Sequence, residues 1–225
     1  MKRRGLLLFA LRKKIIIFFL FLPLAAAARK APPRRRAAAV SIDPARFFAT
    51  RPGLVRIYEG RSESKHASDD DNPEPTAGAS CEVLEAKARE SGVAGSMKES
   101  CTMIVGRKPR PAMELTYELR PDGIWNVQVK PQGGQSQPVE RLVLPSPLRV
   151  GSSWKEPRGT AELDRTVKSA GGTCRAAGRS FADCLVLAVT QKQGKSVVRR
   201  YTETYAAGVG LVEDAQWELV DVKGL

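Results

Sequence analysis

The sequence predicts a mainly β, single-domain protein: an antiparallel sheet of roughly ten short strands with at most one or two short helices. Three observations carry this. Short runs of alternating apolar and polar residues recur from Leu54 to the C-terminus. Turn signals rich in Gly and Pro separate those runs. No long segment repeats its apolar residues at the 3.6-residue period of a helix.

The chain opens on a different pattern. Lys2, Arg3, Arg4, Arg12, Lys13 and Lys14 precede an unbroken apolar run, Ile15 to Leu24, followed by Ala25-Ala26-Ala27-Ala28. A basic start, an apolar middle and small residues at the end predict a signal peptide over 1–28. An uncleaved anchor is the alternative, against which stands the length of the stretch from Ile15 to Ala28, shorter than the ~20 residues of a spanning helix. Arg29-Lys30 and Arg34-Arg35-Arg36 follow at once, a flank that opposes translocation. Residues 29–45, rich in Ala, Arg and Pro, read as a flexible basic lead-in. The β domain is expected over 46–225, interrupted by a polar, disordered insert at 61–80 (RSESKHASDDDNPEPTAGAS).

Within the domain, Leu54 to Tyr58, Cys101 to Val105, Met113 to Leu119 and Ile124 to Val129 read as strands. In the third, Met113, Leu115, Tyr117 and Leu119 share one face and Glu114, Thr116 and Glu118 the other, a half-buried strand. Arg120-Pro121-Asp122-Gly123 is a hairpin turn signal, and Gln132-Gly133-Gly134-Gln135 a second. Further strands are expected over Val139–Leu144, Leu163–Lys168, Cys184–Gln191, Ser196–Tyr205, Val209–Val212 and Gln216–Val222. Cys81 to Glu90 is the one helical candidate, balanced against a strand because its apolar stripe is weak.

Export makes the compartment oxidising, so the four cysteines read as two disulfides. Cys81–Cys101 and Cys174–Cys184 are favoured. The first pair is centred on Ser91 beside Gly92, the second on Arg179 beside Gly178. Two hairpins would therefore set each pair across a turn. Zinc and redox motifs need short C-x-x-C spacings that the chain lacks.

The formal charge of +13 does not point to nucleic acid. Eleven of the 37 Lys and Arg precede residue 41, where no acid occurs, and the remaining 26 face 24 acids. Arg107-Lys108-Arg110 and Arg199-Arg200 are too small for a phosphate-binding face. Histidine catalysis is discounted, because His66 is the sole histidine and lies in the polar insert. Gly194-Lys195-Ser196 resembles the end of a phosphate loop, but Val189 stands where its first Gly belongs. Asp69-Asp70-Asp71-Asn72 lacks the spacing and distant Glu of a calcium loop. No catalytic, cofactor or metal residue is expected. Trp125, Trp154 and Trp217 are core or sheet-face packing, with a ligand platform as the sharper reading.

Four phrases resemble motifs of a group of uncharacterised exported bacterial β-domain proteins. Arg51 to Tyr58 resembles "xPGxxWxY", with Arg56 in place of the usual Trp. Leu148 to Trp154 resembles "PLxxGxxW", and Gly178 to Leu185 "GxFxDCLxV". Tyr205 to Val212 resembles "YAPGVGLV", with Ala207 where Pro is common. The resemblance implies a curved antiparallel sheet or partly open barrel, a signal peptide and a periplasmic or secreted location. It implies no activity. It places Gly208 and Gly210 at a tight turn or bulge before Leu211, and Phe181 in the core.

The expected function is that of an exported, non-enzymatic binding or structural module holding an apolar ligand or partner segment on its curved sheet. The alternatives are an envelope-anchored structural protein and a carboxylate-based polysaccharide hydrolase. The expected partner is an envelope ligand or protein, with no nucleic acid, and membrane only through an uncleaved N-terminal segment.

Overall fold

A computed structural model describes residues 41–60, 77–88, 95–105 and 108–225. The signal-peptide segment, most of the lead-in, residues 61–76 with His66 and Asp69 to Asn72, and Ser91 lie outside the described residues. The described domain is almost all strand: β1 (Val55–Gly60), β2 (Gly78–Lys87), β3 (Gly95–Val105), β4 (Lys108–Pro109), β5 (Met113–Arg120), β6 (Gly123–Pro131), β7 (Gln137–Pro145), β8 (Ser153–Arg158), β9 (Ala161–Ala176), β10 (Arg179–Gln193), β11 (Ser196–Ala206), β12 (Gly210–Glu213) and β13 (Trp217–Lys223). One four-residue 3-10 turn, Pro44–Phe47, is the only helical element among the described residues.

The strands form one antiparallel sheet in the order β7-β6-β5-β3-β2-β1-β13-β12-β11-β10-β9-β8, with β4 added on β3. The first and last strands meet, Val55 opposite Lys223, and the sheet curls until it is nearly a barrel. It does not close: among the described residues no ladder joins its two edges, β7 and β8. Strand alternation puts β1, β3, β6, β8, β10 and β12 in one sense and the rest in the other. The barrel therefore has one end carrying the β5–β6, β7–β8, β9–β10 and β11–β12 turns, and a second end carrying the β6–β7, β8–β9, β10–β11 and β12–β13 turns.

The core fills the first end. Ile42 bridges Leu148 in the β7–β8 connection, and Phe47, Leu54 and Leu148 are fully buried there. Asp43 caps the 3-10 turn by accepting from the Ala45 N–H at 3.0 Å. Arg46 pairs with Asp183, and its carbonyl accepts from the Gly208 N–H at 2.8 Å. Phe48 meets Tyr117 edge-on at 4.9 Å between ring centroids. Residues 41–49 thus plug this end. The domain begins inside the expected lead-in, because Ile42, Pro44 and Phe47 have apolar surface to bury.

Several expectations are refined. Cys81 to Lys87 is strand, not helix: β2 is hydrogen-bonded on both sides, to β1 and β3. The insert ends earlier than residue 80, since Gly78, Ala79 and Ser80 already pair with β1. β8 has no counterpart among the expected strands; Pro157 and three charges hide it, and Pro is tolerated because β8 is an edge. Both favoured disulfides are present, Cys81–Cys101 and Cys174–Cys184. Cys81 lies directly opposite Cys101. The second pair is offset: Cys174 faces Phe181 and Cys184 faces Gly172, across a bulge whose Asp183 has φ of 59°.

Gly123 shows why the β5–β6 turn needs glycine. Its φ is +148°, and a Cβ there would lie 2.3 Å from the Leu144 carbonyl oxygen of β7.

Candidate functional site

Strand alternation sends a set of charged and polar residues inward. Arg56 and Tyr58 of β1, Glu99 of β3, Glu156 of β8, Arg165 of β9, and Glu203 and Tyr205 of β11 are all buried. Burying a charge is unfavourable unless it is paired, and the pairing is thorough. Arg56 is ion-paired to Glu99 across β2, and the Tyr117 hydroxyl donates to the other Glu99 oxygen at 3.0 Å. Arg165 sits between two carboxylates. It is paired with Glu156 and grips Glu203 through Nε at 3.0 Å and Nη2 at 2.9 Å. The Tyr205 hydroxyl donates to Glu203 Oε2 at 3.1 Å.

Electrostatics follow from burial. Desolvation opposes the charge on Arg56, but the fields of Tyr58 and Glu99 outweigh it and hold its pKa above the usual value. Desolvation likewise works against Arg165, and the hydrogen bonds and charge of Glu203 overcome it. Burial pushes the Tyr58 phenol up to about 12, and Tyr117 and Tyr205 well above their ordinary range. These phenols are fixed as neutral donors; Tyr58 donates to the Leu211 carbonyl at 2.8 Å.

Above the plugged end these side chains border a cavity of about 380 Å3, within the range of small-molecule sites. Its walls differ. On the β2–β3–β5 side stand Ala79, Leu115, the Cys81–Cys101 disulfide and Met97, Met103 and Met113, every methionine of the chain but Met1. Thioethers and a disulfide make a soft, adaptable apolar surface. On the β8–β9–β11 side stand Glu156, Arg165, Glu203 and Tyr205. Phe48 and Ala49 lie toward the plug; Pro111, Asp214 and Gln216 belong to turns at the other end. Arg141 and Val143 of β7 and Arg158 of β8 line the cavity from the two unjoined edges.

The three tryptophans do not form a common platform. Trp217 lines the cavity. Trp154 packs against the core, its Nε1 buried without a partner. Trp125 donates to Asp122 Oδ1 at 3.1 Å and lies 5.2 Å beneath the Arg120 guanidinium, away from the cavity. Of the cysteines, Cys81 and Cys101 reach the cavity wall, and Cys174 and Cys184 do not. Among the described residues no cluster of three or more His, Cys, Asp or Glu could hold a metal ion.

The charged residues carried a readable signal. Glu99 is in phase with Met97 and Cys101, Arg165 with Leu163 and Val167, and Glu203 with Tyr201 and Tyr205. A charge in the apolar phase of a strand marks an inward polar group. Arg56 stands where the resembled motif carries Trp, and the structure makes it half of an ion pair. The pairing itself joins strands far apart in sequence, which alternation cannot reveal.

Fold and site together define a nearly closed antiparallel β-barrel around an amphiphilic cavity. No protein-family model matches this chain, and no curated protein matches it. Solved structures similar to it include a protein of Parabacteroides distasonis named as a candidate lipoprotein, 14% identical, covering 79% of this chain and 98% of its own at a TM-score of 0.43. Another is a protein of Bacteroides fragilis named as a candidate exported protein with a YmcC-like fold, 10% identical, covering 79% and 99% at a TM-score of 0.49.

Proposed function

We propose that this is an exported, non-enzymatic binding module whose barrel holds one amphiphilic small molecule. The observation that carries the reading is the cavity of about 380 Å3 with a sulfur-rich apolar wall facing an ion-paired polar one. A wholly apolar ligand would leave the polar wall without matching groups, and a wholly polar one would leave the methionine wall wet. The two disulfides and the order of the N-terminal segment support export. Binding is favoured over hydrolysis, because Glu99, Glu156 and Glu203 are each engaged by an arginine. None stands as half of a free carboxylate pair.

The test is native mass spectrometry of the oxidised protein purified from the envelope fraction of cells that make it. A discrete added mass of one small molecule per chain, removed by solvent extraction, is the expected result. A bare chain mass that stays bare after incubation with total envelope lipid extract would overturn the reading.

A further inference from the structure

Among the described residues the cavity's positive and negative side chains are equal in number but not evenly placed. Glu99 is held by Arg56, Glu156 and Glu203 by Arg165, and Asp214 Oδ1 accepts from the Gln216 and Trp217 N–H groups at 2.7 and 2.8 Å. Every carboxylate of the wall is thus engaged. Two cations are not. Among the described residues neither Arg141 nor Arg158 has a carboxylate partner. Arg141 donates from Nη2 to Asn126 Oδ1 at 2.9 Å, but its buried Nε has no partner. Asn126 is itself fixed by donating to the Thr116 carbonyl at 3.3 Å.

Their positions in the sheet make this asymmetry a site. β7 and β8 are the unjoined edges, connected at the plugged end by residues 146–152. Arg141 lies four residues before the end of β7 and Arg158 five residues after the start of β8. At about 3.3 Å per residue, both stand well above the closed foot of the seam. Both line the same cavity. The row that contains Arg141 runs across the sheet through Asn126 and Tyr117 to Met97. It joins Arg141 directly to the methionine wall. Arg56, 6% exposed and lining the same cavity, adds a further Nε without a partner.

We infer that the seam between β7 and β8 is a head-group site: Arg141 and Arg158 bind the carboxylate or phosphate of a single-chain anionic amphiphile whose apolar chain lies on the Met97–Met103–Met113 wall. This rests on the binding reading above and names its ligand class. A guanidinium without a carboxylate partner presents a planar fork of donors that suits either anion. A cavity near the low end of small-molecule sites fits one chain and not two.

The experiment is titration calorimetry on the full chain, purified with its disulfides formed. Four ten-carbon probes are used below their micelle concentrations: decanoate, decyl phosphate, decyltrimethylammonium and decyl glucoside. The anions bind at one per chain and at least about tenfold more tightly than the other two. The tighter anion tells a carboxylate head from a phosphate head. Arg158→Met, at an exposed position that should not disturb folding, and Arg141→Met each weaken the anions about tenfold and leave the glucoside unchanged. The inference is overturned if the glucoside or the ammonium binds as tightly as the anions, or if both variants bind the anions like the parent. Binding of none of the four would instead sink the binding reading itself. The head-group series on the parent protein decides the matter even if Arg141→Met does not fold.

Discussion

Arg165 and Glu203 meet in a two-point ion pair inside the barrel, reaching across the whole width of β10. Glu156 approaches the same guanidinium from β8, so one arginine joins three strands of the polar wall. Removing one member of a buried cluster leaves the others uncompensated, which costs about 3–5 kcal/mol. Arg165→Met should therefore lower unfolding stability by about that amount in urea titrations. Combining it with Glu156→Gln and Glu203→Gln should recover most of the loss, because no isolated charge remains. A triple variant less stable than Arg165→Met would show that the account of this cluster is wrong.

Gly210 should be far less replaceable than Gly208. Both have positive φ, +96° and +73°. A Cβ at Gly208 meets open space, so Gly208→Ala costs only the left-handed backbone penalty, about 1–2 kcal/mol. A Cβ at Gly210 would lie 2.8 Å from Arg56 Nη1. Gly210→Ala should cost clearly more, by displacing the guanidinium that pairs with Glu99. Equal melting temperatures for the two variants would contradict the close approach.

Alkaline pH should destabilise the fold through its tyrosines. Tyr58 and Tyr201 are pushed up to about 12 by burial, and the same cause raises Tyr117 and Tyr205 well above their ordinary value. A pKa raised in the folded state gives stability that is complete below the unfolded value, about 10, and is lost as pH climbs through the folded one. Phenolate absorbance of the native protein should stay low near pH 10, whereas the urea-unfolded chain titrates there. Urea stability should fall from pH 9 to pH 11. Native phenols ionising near 10 would refute the burial.

Each disulfide closes a short loop, with sequence separations of 20 and 10 residues. Loop entropy gives about 3 kcal/mol apiece. Cys174→Ala with Cys184→Ala should lower stability and leave ligand binding intact, since neither residue lines the cavity. Cys81→Ala with Cys101→Ala should lower stability and also weaken ligand binding. Loss of binding in the first variant alone would reverse this assignment.

The alternation of Met113, Leu115, Tyr117 and Leu119 made β5 readable as a half-buried strand, and all four face inward in the barrel. Turn chemistry marked Arg120 to Gly123 in the same way. β8 escaped notice because Lys155, Pro157 and Arg158 mask its pattern, and Cys81 to Lys87 became strand through tertiary pairing that local propensity does not contain. The cavity was less visible still. Each wall assembles residues from strands distant in sequence, and the tryptophans singled out by chemistry scatter to three separate places. The inward charges were present in the alternation, as Glu203 between Tyr201 and Tyr205 shows.

The most direct measurement of the central claim is titration of decanoate into the parent protein and into Leu115→Trp. The substitution fills the apolar wall beside Glu99, which lies opposite Leu115 across the β3–β5 ladder, and replaces no residue of either ion-paired cluster. The account predicts one equivalent bound by the parent, at least about tenfold weaker binding by the variant, and similar melting temperatures for both unliganded proteins. Equal binding by the two would place the ligand outside the barrel and contradict the account.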